Sequence, residues 1–150
     1  MKIALAHDFL IRWGGAEKVL FDLHKIFPEA PIHTLFYDKQ FVAERFSGVE
    51  IKASYLQKRH QAIKKIQKII GIKKRELHRW LLPSMPLAVE SLDFSDYNLV
   101  ISSSSGFMKG IIASSKTKHI CYLHTPTRWA WQDYERGDRN NFEFQILNFE

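Results

Sequence analysis

The chain has 150 residues, is 45% hydrophobic and 25% charged, and carries a formal net charge of +6 at pH 7. These values are ordinary for a globular protein, and the length suits one domain with a sizeable core. No apolar run approaches the roughly 20 residues needed to span a bilayer, and the charged Lys2 leads straight into a predicted strand, so we read no signal peptide.

Strand-like and helical segments alternate along the chain. The predicted strands cover residues 2–8, 31–37, 49–54, 98–103 and 118–123. The predicted helices cover residues 16–27, 39–45, 58–70, 73–82 and 86–92, with Gly71 between the two basic helices and Pro83 and Pro86 ending the second. This alternation predicts a Rossmann-like three-layer α/β/α sandwich with a mostly parallel sheet. We place no domain boundary within residues 1–150.

Gly14 and Gly15 lie where the first strand should pass into the first helix. Glycines at such a turn let the backbone approach a ligand, and the free N–H groups of a helix start favour an anion such as a phosphate. A tight turn without any ligand explains the pair equally well, because it is neither a full dinucleotide fingerprint nor a P-loop.

A basic segment follows the third predicted strand. Between Lys58 and Arg79 there are nine Lys and Arg residues against one acid, a net charge of +8, which leaves −2 for the rest of the chain. A surface helix with solvated lysines is one interpretation, and a helix lying against anionic lipid is the other. The membrane hypothesis rests on six cations: Lys64, Lys65, Lys68, Lys73, Lys74 and Arg75.

Two polar loops follow the fourth and fifth strands, where open parallel sheets bind ligands. The first is the Ser- and Gly-rich loop 102–110, and the second, 124–131, begins with His124. His124 alone could be structural, but the first strand also ends in His7 and Asp8, and both strand ends should face one crevice. Cys121, the single cysteine, excludes an intramolecular disulfide, which fits a reducing compartment, and its apolar neighbours predict a buried, inert thiol.

Four stretches of sequence resemble one enzyme family. Residues 7–20 resemble the opening of family 4 glycosyltransferases, which are retaining enzymes of the GT-B fold, and residues 120–131 resemble their His-x-Pro region. Residues 82–92 and 96–104 are similar to bacterial members that act in polysaccharide assembly. The resemblance implies an acceptor-side amino-terminal domain that faces a donor-binding carboxy-terminal domain.

The resemblance also implies an activity and its site residues. It implies a hexosyltransferase that uses a nucleotide-sugar as co-substrate, with no metal and no other cofactor. Gly14 and Gly15 would bind the donor diphosphate, and His124 would contact the reacting sugar. Asp8 would orient an acceptor hydroxyl. The acceptor side would include Ser103, Ser104, Thr125 and Arg128.

The partners and the location follow from the same resemblance. A lipid-linked or glycan acceptor and the basic segment together imply a peripheral protein on the cytoplasmic face of the cell membrane. The chain stops at Glu150, within a helix expected over 140–150, so we expect the donor-binding domain to be absent and this half alone to fold without transferring sugar.

Two other functions stay open. The segment 58–79 could serve a nucleic-acid-binding module, although only His60, His78 and Trp80 lie near its cations and stacking on single-stranded bases needs more aromatic rings. A doubly wound domain could also be a non-catalytic binding or regulatory partner.

Overall fold

Five strands form one sheet in which every pairing is parallel. The computed structural model describes residues 1–70 and 77–124, without the side chains of residues 67–70 and 77–80. The spatial order is β3-β2-β1-β4-β5. The strands are β1 (Ile3–His7), β2 (Ile32–Thr34), β3 (Ile51–Ala53), β4 (Leu99–Ser104) and β5 (Lys118–Leu123). All five predicted strands are present, although β2 and β3 are shorter than predicted.

Four α-helices connect these strands within the described residues. They are α1 (Gly15–Ile26), α2 (Lys39–Arg45), α3 (Leu56–Ile70) and α4 (Met85–Glu90). The prediction of an α-helix over 73–82 is wrong for its described part, because Leu77–Ser84 is a 3₁₀ helix that contains Pro83. Proline lacks an N–H and its ring clashes with the carbonyl four residues earlier, so an α-helical path is disfavoured there. Pro86 instead lies in the first turn of α4, where proline is tolerated.

The two faces of the sheet are covered by different helices, because successive strand residues point to opposite sides. Ala4 and Ala6 of β1 belong to a cluster that includes residues of α3 and α4. Leu5 belongs to a second cluster with residues of α1 and α2. The chain therefore has the Rossmann-like α/β/α fold that its alternation predicted.

Strand β5 forms one edge of the sheet and is largely exposed. Ile120 is 57% exposed and Tyr122 is 54% exposed. Cys121 is exposed as well, so the prediction of a buried thiol is wrong. The physical reason is position, because β5 is an edge strand whose side chains have little cover from the described part of the chain.

The strand order reverses between β1 and β4. From β1 the chain adds β2 and β3 on one side, and then returns to add β4 and β5 on the other. Crevices at the carboxyl ends of strands flanking such a reversal are the usual ligand sites of open α/β sheets. His7, the last residue of β1, pairs with Ser103 of β4 at this point.

Candidate functional site

One face of the sheet holds four residues at the carboxyl ends of β1, β4 and β5, namely His7, Ser103, Tyr122 and His124. His7 pairs with Ser103, and Ser103 pairs with Tyr122, so their side chains point to the same side. His124 lies just past β5, and its backbone N–H extends the ladder to the carbonyl of Ser104 at 3.0 Å. The structure therefore brings His124 and Ser103 together at the strand ends where the sequence predicted one crevice.

The first turn of α1 closes the other side of this crevice. The hydroxyl of Ser103 lies 3.4 Å from the carbonyl oxygen of Ala16. Ala16 directly follows Gly14 and Gly15, so the strand-to-helix turn and His124 lie at the same end of the sheet. Both glycines are exposed.

Ser103 and His124 form a hydrogen-bonded pair. Ser103 Oγ lies 2.7 Å from His124 Nε2, with the serine fully buried and the histidine half-buried. Burial lowers the pKa of His124, and the proximity of His7 lowers it further, while Asp8 and Glu17 oppose this shift. At neutral pH the imidazole of His124 is therefore neutral. Ser103 is buried and its side chain contacts His124 in the structure, and its expected role on the acceptor side stays a prediction.

His7 is anchored between two elements. Its Nδ1–H donates to the carbonyl oxygen of Ser103 at 2.8 Å, and its Nε2 lies 3.7 Å from Oε1 of Glu17. Both side chains are nearly buried. The ring of His7 thus connects the carboxyl end of β1 to β4 and to the first turn of α1.

Glu17 is a site residue that the sequence reasoning missed. Burial raises the pKa of its carboxyl, but the close approach of His7, its own backbone N–H and the nearby Arg12 outweigh burial, so the pKa is lowered overall. Glu17 is three residues after Gly14, the N-cap of α1. A glutamate at this position reaches back towards the helix start in the capping-box pattern, and that spacing was the available signal.

The carboxylate of Glu17 lies close to the backbone of Gly14. A Cβ added to Gly14 would lie 2.9 Å from Oε2 of Glu17, whereas a Cβ on Gly15 would meet nothing within 4 Å. Any side chain at 14 therefore displaces the carboxylate from the helix start. In this structure, the anion at the first turn of α1 is a side chain of the protein itself.

Asp8 organises the loop that follows β4. Its carboxylate accepts hydrogen bonds from the hydroxyl of Ser104 at 3.0 Å and from four backbone N–H groups at 2.7 to 2.9 Å, those of residues 105, 106, 107 and 108. Asp8 and Ser104 are both buried. These contacts give Asp8 and Ser104 a structural role in holding the loop, and their expected roles towards an acceptor stay predictions.

Helix α3 presents only part of the expected basic patch as free cations. Lys58 and Lys65 are exposed, as is Ile66, while Ile63 packs against the core. Lys64 instead donates to the carboxylate of Asp38, the N-cap of α2. Lys73, Lys74, Arg75, Thr125 and Arg128 lie outside the described residues, as does the side chain of Lys68.

No cluster of three or more His, Cys, Asp or Glu side chains suited to a metal ion occurs in residues 1–70 and 77–124. Over the same ranges, no helix combines the length and apolar character required to cross a membrane.

An open groove of about 430 Å³ lies away from this site, at the amino end of β1. Its lining includes Lys2, Phe27, Pro31 and Tyr97. Its lining is mostly apolar, whereas the β1–β4 crevice brings facing polar groups together, so we place the candidate site at the crevice.

Comparison with known proteins gave no match to a family model, to a curated protein or to a solved structure.

Proposed function

We propose that this chain is the acceptor-side domain of a retaining glycosyltransferase, which moves a hexose from a nucleotide-sugar to a glycan or lipid-linked acceptor. One observation carries the proposal. The Gly14–Gly15 turn at the start of α1 and the neutral imidazole of His124 lie at the same end of the sheet, beside the reversal between β1 and β4. The resemblance of residues 7–20 and 120–131 to family 4 enzymes points to the same chemistry.

The two parts of the crevice suit the two parts of such a donor. The N–H groups of the first turn of α1 would bind the diphosphate once the carboxylate of Glu17 moves aside. His124 would hydrogen-bond to the sugar. Asp8, by fixing the loop after β4, keeps the wall of the crevice in place. The nucleotide base would be bound by a second domain.

A titration tests the proposal. Uridine, guanosine and adenosine diphosphate sugars are added separately to ¹⁵N-labelled protein, with short single-stranded DNA as the comparison. We expect at least one nucleotide-sugar to shift the backbone signals of Gly14 and Gly15 and the ring signals of His124. The matching nucleoside diphosphate should shift the glycines alone. Shifts caused only by DNA, centred on α3, would reject the proposal in favour of nucleic-acid binding.

His124→Ala tests the effect on sugar transfer in an enzyme that contains this domain. A half-buried ring at the crevice has few core contacts, so we expect a large loss of transfer with little change in melting temperature. A core histidine would give the reverse, a large drop in melting temperature with activity following the folded fraction.

We further propose that the exposed side of α3 attaches the protein to the cytoplasmic face of a membrane. Lys58 and Lys65 lie in line on that side, two turns apart, and the exposed Ile66 follows about 100° around the helix from Lys65. Cations combined with an exposed apolar side chain on one helix face suit the surface of an anionic bilayer.

A further inference from the structure

Two serine–histidine pairs join β4 to the region of β5, one on each face of the sheet. Ser102 Oγ lies 2.8 Å from His119 Nε2, and Ser103 Oγ lies 2.7 Å from His124 Nε2. Both serines are fully buried. Only the Ser103 pair faces α1 and the candidate site, so the Ser102 pair is a natural control.

The hydrogen of the Ser103 hydroxyl has two acceptors to choose from among the described residues. One is His124 Nε2 at 2.7 Å, and the other is the carbonyl oxygen of Ala16 at 3.4 Å. Hydroxyl–oxygen bonds normally span about 2.5 to 3.0 Å, so the second contact is too long to satisfy a buried donor. Leaving a buried hydroxyl without a good acceptor is costly. The hydrogen therefore points to Nε2.

This choice determines where His124 carries its own hydrogen. A neutral imidazole has one N–H and one acceptor nitrogen. If Nε2 accepts from Ser103, the hydrogen must be on Nδ1. Nδ1 has no hydrogen-bond partner among the described residues, and the ring of Tyr122, 4.9 Å away between centroids, is its aromatic neighbour.

The charged groups around His124 affect whether the ring is protonated, but they do not determine its tautomer. His7 from β1, Asp8 beyond β1 and Glu17 from α1 all act on its charge, together with burial. Their combined effect favours the neutral ring. A neutral ring has two tautomers, and Ser103 is the group in direct contact that distinguishes them.

We propose that Ser103 is a positioning residue that fixes His124 in the tautomer with its hydrogen on Nδ1. The ring then offers an N–H donor at the open end of the sheet. Its partner there must be an acceptor oxygen, such as a sugar hydroxyl used through its lone pair or a phosphate oxygen. The identity of that partner rests on the proposed function, whereas the tautomer does not.

Long-range ¹H–¹⁵N correlation of the histidine rings near pH 7.5 tests this in the ligand-free protein, with His124→Asn to assign the signals. We expect wild-type His124 to be protonated on Nδ1. Ser103→Ala should change the tautomer ratio about tenfold towards Nε2–H, the size of one net hydrogen bond. Ser103→Thr, which keeps the hydroxyl, should restore the wild-type ratio. Ser102→Ala should alter the signals of His119 and leave those of His124 unchanged.

Every other outcome either overturns the role proposed for Ser103 or leaves it standing. Wild-type His124 protonated on Nε2 overturns the proposal, even if no Ser103 variant folds. An unchanged ratio in Ser103→Ala, or an equal change in Ser102→Ala, also overturns it. A correct tautomer in a protein that binds no nucleotide-sugar would leave the role of Ser103 standing and count only against the glycosyltransferase proposal.

Discussion

The carboxylate of Asp8 accepts a hydrogen bond of 2.8 Å from the backbone N–H of Met108, one hundred residues further along the chain. The same carboxylate holds the N–H groups of the three preceding residues. One buried side chain at the end of β1 thus sets the path of the loop after β4, which borders the candidate site.

Replacing Asp8 tests this role. Asp8→Asn keeps the size of the side chain but turns one acceptor into a donor that faces backbone N–H groups. Leaving buried donors unsatisfied costs about 1–3 kcal/mol each, so we expect a loss of about 2–4 kcal/mol in the free energy of unfolding. Urea denaturation measures it. Asp93→Asn is the control, because exposed Asp93 caps only Ser95. Equal, small effects of both changes would contradict the structural role.

Glu17 should compete with anionic ligands for the start of α1. Glu17→Gln removes the negative charge beside Gly14, so we expect nucleoside diphosphates to bind about two- to fivefold more tightly, the effect of one charge at a helix end. Isothermal titration calorimetry measures the affinity. Asp22→Asn, an exposed acid further along α1, should change it much less. Weaker binding by Glu17→Gln would instead mean that the carboxylate assists the ligand.

His33 should make the protein sensitive to mild acid. Burial, together with the nearby positive charge of Lys52 and against the opposing effect of Asp93, lowers the pKa of His33 to about 4. The unfolded chain takes up this proton near pH 6.5 and the folded protein only near pH 4, so stability falls as the pH drops between them. We expect this residue alone to lower the free energy of unfolding by about 2 kcal/mol between pH 7 and pH 5.

His33→Gln isolates that contribution. The amide can still reach the hydroxyl of Tyr97, which lies 3.2 Å from Nε2 of His33. The variant should lose stability at pH 7 but show a flatter dependence between pH 7 and pH 5 in chemical denaturation. A dependence as steep as that of the wild type would show that His33 is not the group responsible.

The exposed side of α3 should bind anionic vesicles in a salt-sensitive way. Lys58→Glu combined with Lys65→Glu should weaken sedimentation with phosphatidylserine vesicles, because each cation near the surface contributes about 1 kcal/mol. Lys64 is left unchanged, since its loss would also disturb Asp38 and the start of α2. Lys2→Glu with Lys116→Glu makes the same change in net charge away from α3. If both pairs weaken binding equally, net charge alone explains it.

The strands were predictable because their apolar runs are local signals, and the placement of His124 at the same end of the sheet as His7 followed from the rule for strand ends. The partner of Asp8 was not predictable, because no local pattern announces that a carboxylate will bind a loop one hundred residues away. Glu17 had a local signal, its spacing from Gly14, but its contact with His7 depends on how α1 lies over β1. The exposure of Cys121 depends on β5 being an edge strand, which the alternation alone does not specify.

The pairing of His7 with Ser103 also constrains the order of folding. The contact closes a loop of 96 residues, whereas β1, β2 and β3 are joined in sequence and can pair through much shorter connections. Long-range contacts form slowly because the entropy of closing the loop opposes them until they are made. Every residue of the crevice except those of β1 and α1 takes its place only when β4 and β5 join the sheet. An intermediate that holds only the first three strands therefore has the Gly14–Gly15 turn but lacks Ser103 and His124, and a ligand that needs His124 would bind only after β4 and β5 have joined the sheet.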